Sequence, residues 1–589
     1  MHDILRDFGI SISSKGGHPY IVGFDKVMQK WPERSHYENC SAISFVCDSI
    51  EEHPVDLKCP KIELLQLCFA DGSTELPIGI FEGLKELKVL VLEGPLLLQS
   101  LTMLRKLRTL VIYHEAKGLD ENVETKIGDL LGHHGHLENL EILVFYRDSV
   151  CYDFPEEIGL LCNLRCLRFR VEFKYMPPGV LSKLVNLEEL ELPWKFDSWG
   201  CKEEGEGERV NASLDEIESL PLSTLKISLR DSSILAEKLV KNLTRFVVFI
   251  GRYAGISYEN SNARLEVLGV DASDIEKSGL LMKCERYILK KVRNLKNIMY
   301  LQSAEDNGFP QWKWKGINID SGREMEYLVD TITERIPSCF FSQLETLRLW
   351  NMFSLKELCP FSKIEAPFFT NLTSIDMYRC RKLKHMFPLS VARDLRQLQI
   401  IQICGCDEME QIFYRDQVND TNQLQVSSSV QLTNPTLETT STPTSLNSNI
   451  DDKSQLICPT PNSFFRSLLG REKHLKMVST RQMMEENIVK DDDDDAIIFP
   501  QLQTLLLEKL SKLRILYDGN DAIELPALEE FTIEECYKME TLSHGSFKAA
   551  RLKQIEINEE HYPVEEDLNV IVKKKVQLIL SFNFLLHCF

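Results

Sequence analysis

The sequence predicts an α/β repeat solenoid, a horseshoe of short parallel strands lining a concave face with return segments behind them. Two observations lead there. A six-residue apolar template recurs through most of the 589 residues. Between its copies a proline recurs, followed by apolar residues three or four apart. A compact globule of this length has to divide into several domains. A repeat array escapes that limit, because each unit buries its apolar face only against its neighbours.

The template is apolar, two variable residues, apolar, one variable residue, apolar. Clear copies are Leu87, Leu90 and Leu92; Leu107, Leu110 and Ile112; Leu140, Leu143 and Phe145; Leu164, Leu167 and Phe169; and Leu187, Leu190 and Leu192. Weaker copies begin at Leu222, Leu243, Leu265 and Cys284. Strong ones return as Leu344, Leu347 and Leu349; Leu372, Ile375 and Met377; and Leu398, Ile401 and Ile403, with further copies at Leu502, Leu528 and Leu552. Upstream lie Ile62, Leu65 and Leu67, and Ala42 to Phe45 is the candidate first strand. The spacing matches a leucine-rich repeat, whose period is about 20–29 residues. Period-two alternation turns the template residues inward and the variable ones outward. Between strands, Leu76 and Pro77 lead to Phe81 and Leu84; Phe154 and Pro155 to Ile158 and Leu161; Met176 and Pro177 to Val180, Leu181 and Leu184. That spacing predicts a helical turn behind each strand.

Residues 1–38 lack the template, and 39–415 carry it with an irregular interruption between Leu301 and Phe340. Residues 416–496 change character. Gln423 to Ser454 is rich in Ser, Thr, Asn, Gln and Pro, too polar to offset its ordering entropy, so a disordered linker is expected. Within it, Phe464 to Val489 has room for one amphipathic helix capped by Asn462 or Ser463. The acidic run Asp491 to Asp495 lacks the alternating ligands and glycine of a calcium loop and reads as solvated linker. Residues 497–567 resume the repeat. The tail, 568–589, ends in an apolar run from Val576 to Phe589, shorter than the roughly 20 residues a bilayer span needs.

Net charge is −21, from 89 acidic and 68 basic residues. That balance argues against nucleic acid, which needs clustered Lys and Arg, and against an anionic membrane surface. The 17 cysteines are scattered without a CxxC pair, and Cys166 and Cys284 fall at strand positions. A reduced cytosolic or nuclear protein is expected. Met1 to Ser14 lacks the apolar core of a signal peptide, so the acceptor triplets at Asn211 and Asn242 carry no weight.

Five segments carry a family resemblance: Met1, His2 and Asp3 with the run to Ile12; Cys59 to Ile62; Phe341 to Leu347; Leu383 to Phe387; and Ile403 to Phe413. Together they resemble plant intracellular coiled-coil, nucleotide-binding (NB-ARC), leucine-rich-repeat disease-resistance proteins. In that family a Met-His-Asp motif closes the winged-helix part of the nucleotide-binding domain. The resemblance implies that 1–38 is a winged-helix remnant with its linker and that the chain is truncated to start at the motif. It places His2 where the family's histidine contacts ADP. No GxxxxGK[ST] phosphate loop occurs in the chain, so His2 has no pocket to complete and no ADP or ATP cofactor is expected here. The implied partner is a protein, a pathogen effector or a guarded host protein, with the receptor's own nucleotide-binding module as a second. The implied location is the cytoplasm, with the nucleus or the plasma-membrane periphery as further places.

The outward positions beside the strand leucines are the expected protein-binding surface. They read Thr109, Val111 and Tyr113; Arg168 and Arg170; Glu189, Glu191 and Trp194; Arg348 and Trp350; Asp376, Tyr378 and Arg379; and Gln402. Aromatic residues and arginine most often carry binding energy. The cluster His133, His134 and His136 has no acid or cysteine at ligand spacing and reads as a surface loop. Cys404 and Cys406 form half a zinc site with no second half. No nucleophile elbow, HExxH or paired catalytic carboxylates stand in a recognisable frame, so no enzyme is expected. A ubiquitin-ligase substrate adaptor would need an F-box-like helical stretch that 1–38 does not supply, and a receptor ectodomain would need a signal peptide, a membrane span and paired cap cysteines.

Overall fold

The computed structural model describes residues 20–23, 27–31, 34, 38–47, 49–52, 57–69, 77, 79–93, 101, 103–114, 137–202, 209–231, 237–251, 263–277, 280, 283–298, 314–330, 341–360, 369–415 and 496–576. One 20-stranded sheet runs through them. Its strands are β1 (Tyr20–Gly23), β3 (Ala42–Cys47), β5 (Leu64–Phe69), β6 (Val89–Glu93), β7 (Thr109–His114), β8 (Ile142–Asp153), β9 (Cys166–Tyr175), β10 (Glu189–Glu191), β11 (Thr224–Leu229) and β12 (Arg245–Gly251). It continues through β13 (Ala263–Leu268), β14 (Arg286–Lys290), β15 (Gly316–Asp320), β16 (Thr346–Trp350), β17 (Ser374–Tyr378), β19 (Ile400–Cys404), β22 (Thr504–Glu508), β24 (Glu530–Glu534), β26 (Gln554–Ile557) and β27 (Glu560–Pro563). Each strand pairs in parallel with the next until β27, which returns antiparallel on β26 and closes the stack. Small parallel sheets lie beside it: β2 (Val27–Lys30) with β4 (Ser49–Glu52), β18 (Phe387–Pro388) with β20 (Phe413–Tyr414), and β21 (Ile497–Ile498) with β23 (Ile523–Glu524) and β25 (Phe547–Lys548).

The template explains the core. Leu164, Leu167 and Phe169 are fully buried, as are Leu344, Leu347 and Leu349. The residues between them stay half-open in β16, β17, β19 and β22. Period-two alternation therefore gives these strands one core face and one open face, whereas β12 and β13 are buried on both. Behind the early strands, Phe154, Ile158 and Leu161, and then Met176, Val180, Leu181 and Leu184, close the core. The expected helical turns are present as 3₁₀ turns at Glu156–Leu160, Leu181–Lys183 and Leu214–Ile217. The tighter i→i+3 bonding suits so short a return.

Three features differ from the sequence reading. The sheet begins inside residues 1–38, because Tyr20–Gly23 pairs with Ala42–Phe45; the winged-helix remnant itself falls mainly on residues outside the described ones. The interruption between Leu301 and Phe340 contains a regular strand, β15. Its template reads Trp314, Ile317 and Ile319, with tryptophan where leucine is usual. The buried indole Nε1 donates to the Tyr287 hydroxyl at 2.7 Å, which satisfies its polar edge. Leu265 stands at the fourth place of its copy, since it pairs with Tyr287. It also pairs with Val248, the sixth place of the copy before. The template therefore slides by two residues between β12 and β13, about 6.6 Å along the strands. An even slide leaves each residue on its own face.

The first nine residues of the tail, 568–576, are helical. Leu568, Ile571, Val572 and Val576 are buried. Asn569 clamps this helix, its Oδ1 accepting from Thr541 Oγ1 and from the backbone N–H of Leu542 and Ser543.

Residues 417–494 separate from the rest as a second unit; with the expected helix at 464–489 and the acidic run they lie outside the described residues. The sheet passes this insertion without losing register: Ile400–Cys404 pairs directly with Thr504–Glu508. Phe413 stacks on Phe499 at 5.2 Å, and the backbone N–H groups of Ile412 and Phe413 donate to Leu516 O. The two stretches of template belong to one stack.

Candidate functional site on the open strand face

The register brings several of the expected binding residues together on β7 to β12. Tyr113 pairs with Tyr146, and Tyr146 with Arg170. The two tyrosine rings stack at 4.9 Å, and the Arg170 guanidinium lies 4.6 Å from the Tyr146 ring. Burial raises the pKa of both tyrosines, so both stay neutral hydroxyls at physiological pH. One strand on, Arg168 stands beside Glu191 in register. Arg168 donates through Nε to Glu189, and Arg170 through Nε to Glu191. Lys226 Nζ approaches Glu191 at 3.3 Å and Arg245 approaches Glu189 at 3.8 Å. Burial opposes the charge on Arg168, yet the hydrogen bond and charge of Glu189 outweigh it and raise the guanidinium pKa.

Glu191 differs from the expected role. Its side chain stands on the open face but is only 3% exposed, covered by Arg168, Arg170 and Lys226, so it holds those cations in place and does not meet solvent. Trp194 is off the strand: β10 ends at Glu191, Leu192 N makes the last bond to Lys226 O, and Pro193 has no N–H to continue the ladder. The indole sits half-buried in the turn that follows. Tyr146, Lys226 and Arg245 were missed by sequence reading. Tyr146 holds the same template place as Tyr113, and that shared place was the available signal.

A second, smaller group lies on β16 to β19. Arg348, Asp376 and Gln402 stand in one row, and Trp350 and Tyr378 in the next. Arg348 is 4.0 Å from Asp376. Burial raises the Asp376 pKa, while a hydrogen bond from Trp350 and the charge of Arg348 pull it back. The rings of Trp350 and Tyr378 meet edge to face at 6.5 Å. Arg379 follows the strand with φ 55°, and its guanidinium lies 4.9 Å from the Tyr378 ring. Cys404 and Cys406 do not converge on an open site. The buried Cys406 thiol donates to Cys404 O at 3.7 Å, and the neighbouring Cys380 thiol to Leu349 O at 3.2 Å. His2 and the histidines at 133–136 lie outside the described residues.

Residues 322–407 match the family model described as plant disease resistance protein RPS2-like, leucine-rich repeats. The chain folds as a leucine-rich-repeat solenoid. The matched stretch covers β16, β17 and β19, so the second group sits on the repeats that match this model. No curated protein matches the chain.

Among solved structures, the leucine-rich-repeat protein is similar to the ectodomain of the plant membrane receptor kinase GASSHO1/SCHENGEN3 from Arabidopsis thaliana, solved with CASPARIAN STRIP INTEGRITY FACTOR 2. Identity is 12% and the TM-score 0.29, over 91% of this chain and 63% of that one. It is also similar to the plant peptide hormone receptor RGFR1 in complex with RGF2, at 12% identity and TM-score 0.29, over 90% and 81% of the two chains. The ectodomain of the Arabidopsis receptor kinase HAESA, solved with an IDA peptide hormone, matches at 13% and 0.28, over 89% and 88%. No helix among the described residues is long and apolar enough to cross a membrane.

Proposed function

We propose that this chain is the recognition part of a plant intracellular disease-resistance receptor of the coiled-coil, NB-ARC type. It binds a pathogen effector or a guarded host protein through the concave strand face, without catalysing a reaction, and in a complete receptor it restrains the nucleotide-binding module. The observation that carries this reading is the continuous row of aromatic and arginine side chains from Tyr113 to Arg170 on the open face, backed by the buried carboxylate of Glu191. Such residues are typical anchors of protein interfaces. The disease-resistance match of residues 322–407 supports the class of receptor. The described cysteines are free thiols, mostly buried, which suits a cytoplasmic protein.

The test is a two-hybrid screen of the full chain against libraries of pathogen effectors and leaf proteins. Each partner is then retested against Tyr113→Ala/Tyr146→Ala and Arg348→Gln/Trp350→Ala variants. Loss of binding in at least one variant is expected. Partners that bind every face variant as well as the original chain would overturn the reading.

A further inference from the structure

Resting on the reading that this face binds protein, we propose that the partner surface received by β7 to β12 is anionic. It presents carboxylates to Arg168 and Arg170, with an apolar or aromatic side chain against Tyr113 and Tyr146.

The patch hides its own negative charge. The Glu191 and Glu189 side chains are 3% and 14% exposed, against 37% and 42% for Arg168 and Arg170. Solvent therefore meets guanidinium first. Each arginine spends Nε on its carboxylate, and among the described residues no carboxylate takes a hydrogen bond from Nη1 or Nη2 of either, so that edge can meet an incoming group. Their planar fork matches a carboxylate. Lys226 and Arg245 lean on the same two carboxylates, so four cations face two anions within a chain of net charge −21. Glu93 stands beside Tyr113 in register on the far side of the tyrosine pair, and there the cationic area ends.

The arginines are held before any partner arrives. Arg170 is fixed between the Tyr146 ring and Glu191, so little side-chain freedom remains to be lost on binding. The floor beside them is apolar: Val91, Val111 and Val144 stand in one row, and Val144 is buried. A basic partner would meet like charge across this row, which disfavours it.

The experiment pans the full chain against a phage-displayed library of random 12-residue peptides, then measures enriched peptides by fluorescence anisotropy. Binding is compared with Arg168→Gln/Arg170→Gln, with Arg168→Lys/Arg170→Lys, and with Tyr113→Ala/Tyr146→Ala, each checked by thermal melting. The expected result is peptides with Asp or Glu next to an aliphatic or aromatic residue. Affinity should fall at least about tenfold in the glutamine pair, less in the lysine pair, and further as salt rises. Neutral or basic peptides that still lose binding in the tyrosine variant would overturn the anionic partner and leave the protein-binding face standing. No enrichment, or peptides bound equally by all variants, would remove both.

Discussion

The strands before and after the two-residue slide are built differently, although one template runs through both. Before it, at β8 and β9, the chain leaves the sheet into proline-led 3₁₀ returns. After it, a residue with positive φ follows strand after strand: Gly269, Lys291, Ser321, Asn351, Arg379, Gly405, Lys509 and Glu535. From Gly269 to Lys509, each donates its N–H to the last carbonyl of the next strand, as Arg379 does to Cys404 and Gly405 does to Glu508. The later half thus gains a ladder rung per repeat at the cost of a left-handed residue. The lesson is that matching side-chain patterns can sit on two backbone solutions, joined where the template shifts along the strands.

That junction is where the largest effect is expected. Gly251 ends β12 at φ 111°, and a Cβ there would lie 2.0 Å from Leu268 O on β13. Backbone cannot yield as a side-chain tip can. Gly251→Ala should cost about 3 kcal/mol or more. Gly179, in the earlier half, also has positive φ (80°) but nothing within 4 Å of its Cβ position. Gly179→Ala should cost only about 1 kcal/mol. Urea midpoints of the two variants, with hydrogen exchange across β12 and β13, separate backbone strain from close approach. Equal losses would mean that the slide needs no close contact at Gly251.

A smaller effect probes the ladder. Gly405 has φ 64°, and an added Cβ would meet Arg379, whose Cγ is nearest at 3.3 Å. Gly405→Ala should cost about 1 kcal/mol. Glu535→Gly, at φ 51° in the same column, should stabilise by about 0.5 kcal/mol, since relief of left-handed strain slightly exceeds the added freedom of the unfolded chain. Thermal melts of both variants read the signs. A destabilised Glu535→Gly would show that the column is not strained.

The repeat was legible because its signal is periodic burial, which many copies make redundant. What escaped was whatever a single copy had to reveal. Trp314 in the leucine place hid β15, and the slide hid the frame of Leu265. Tyr20–Gly23 joins the sheet through backbone pairing that leaves no template. The left-handed column was invisible because Lys291, Arg379, Lys509 and Glu535 are not the glycine or asparagine that usually mark such a conformation. At the site, the outward positions followed from alternation alone. The burial of Glu191 did not, because Arg168, Arg170 and Lys226 cover it from strands on both sides. Trp194 was misplaced because the strand ends at Glu191 and Pro193, the residue directly before it, cannot continue the ladder.

The smallest effect expected lies in the second half's own binding row. Burial raises the Asp376 pKa above its unfolded value, against the opposing pulls of Trp350 and Arg348. For an acid, that means the fold favours the protonated form. Its stabilising share is present at low pH and is lost as pH rises through the folded pKa. At neutral pH the ionised Asp376 therefore works against the fold. Asp376→Asn should raise Tm by about 1 °C at pH 7.5, and the gain should vanish near pH 4, close to the ordinary carboxylate value of about 3.9. The lost pair with Arg348 counts for little, since the guanidinium is 37% exposed and 4.0 Å away. A gain that persists or grows at pH 4 would mean that Asp376 is no less stable ionised in the fold than in water, and that its row is open to solvent.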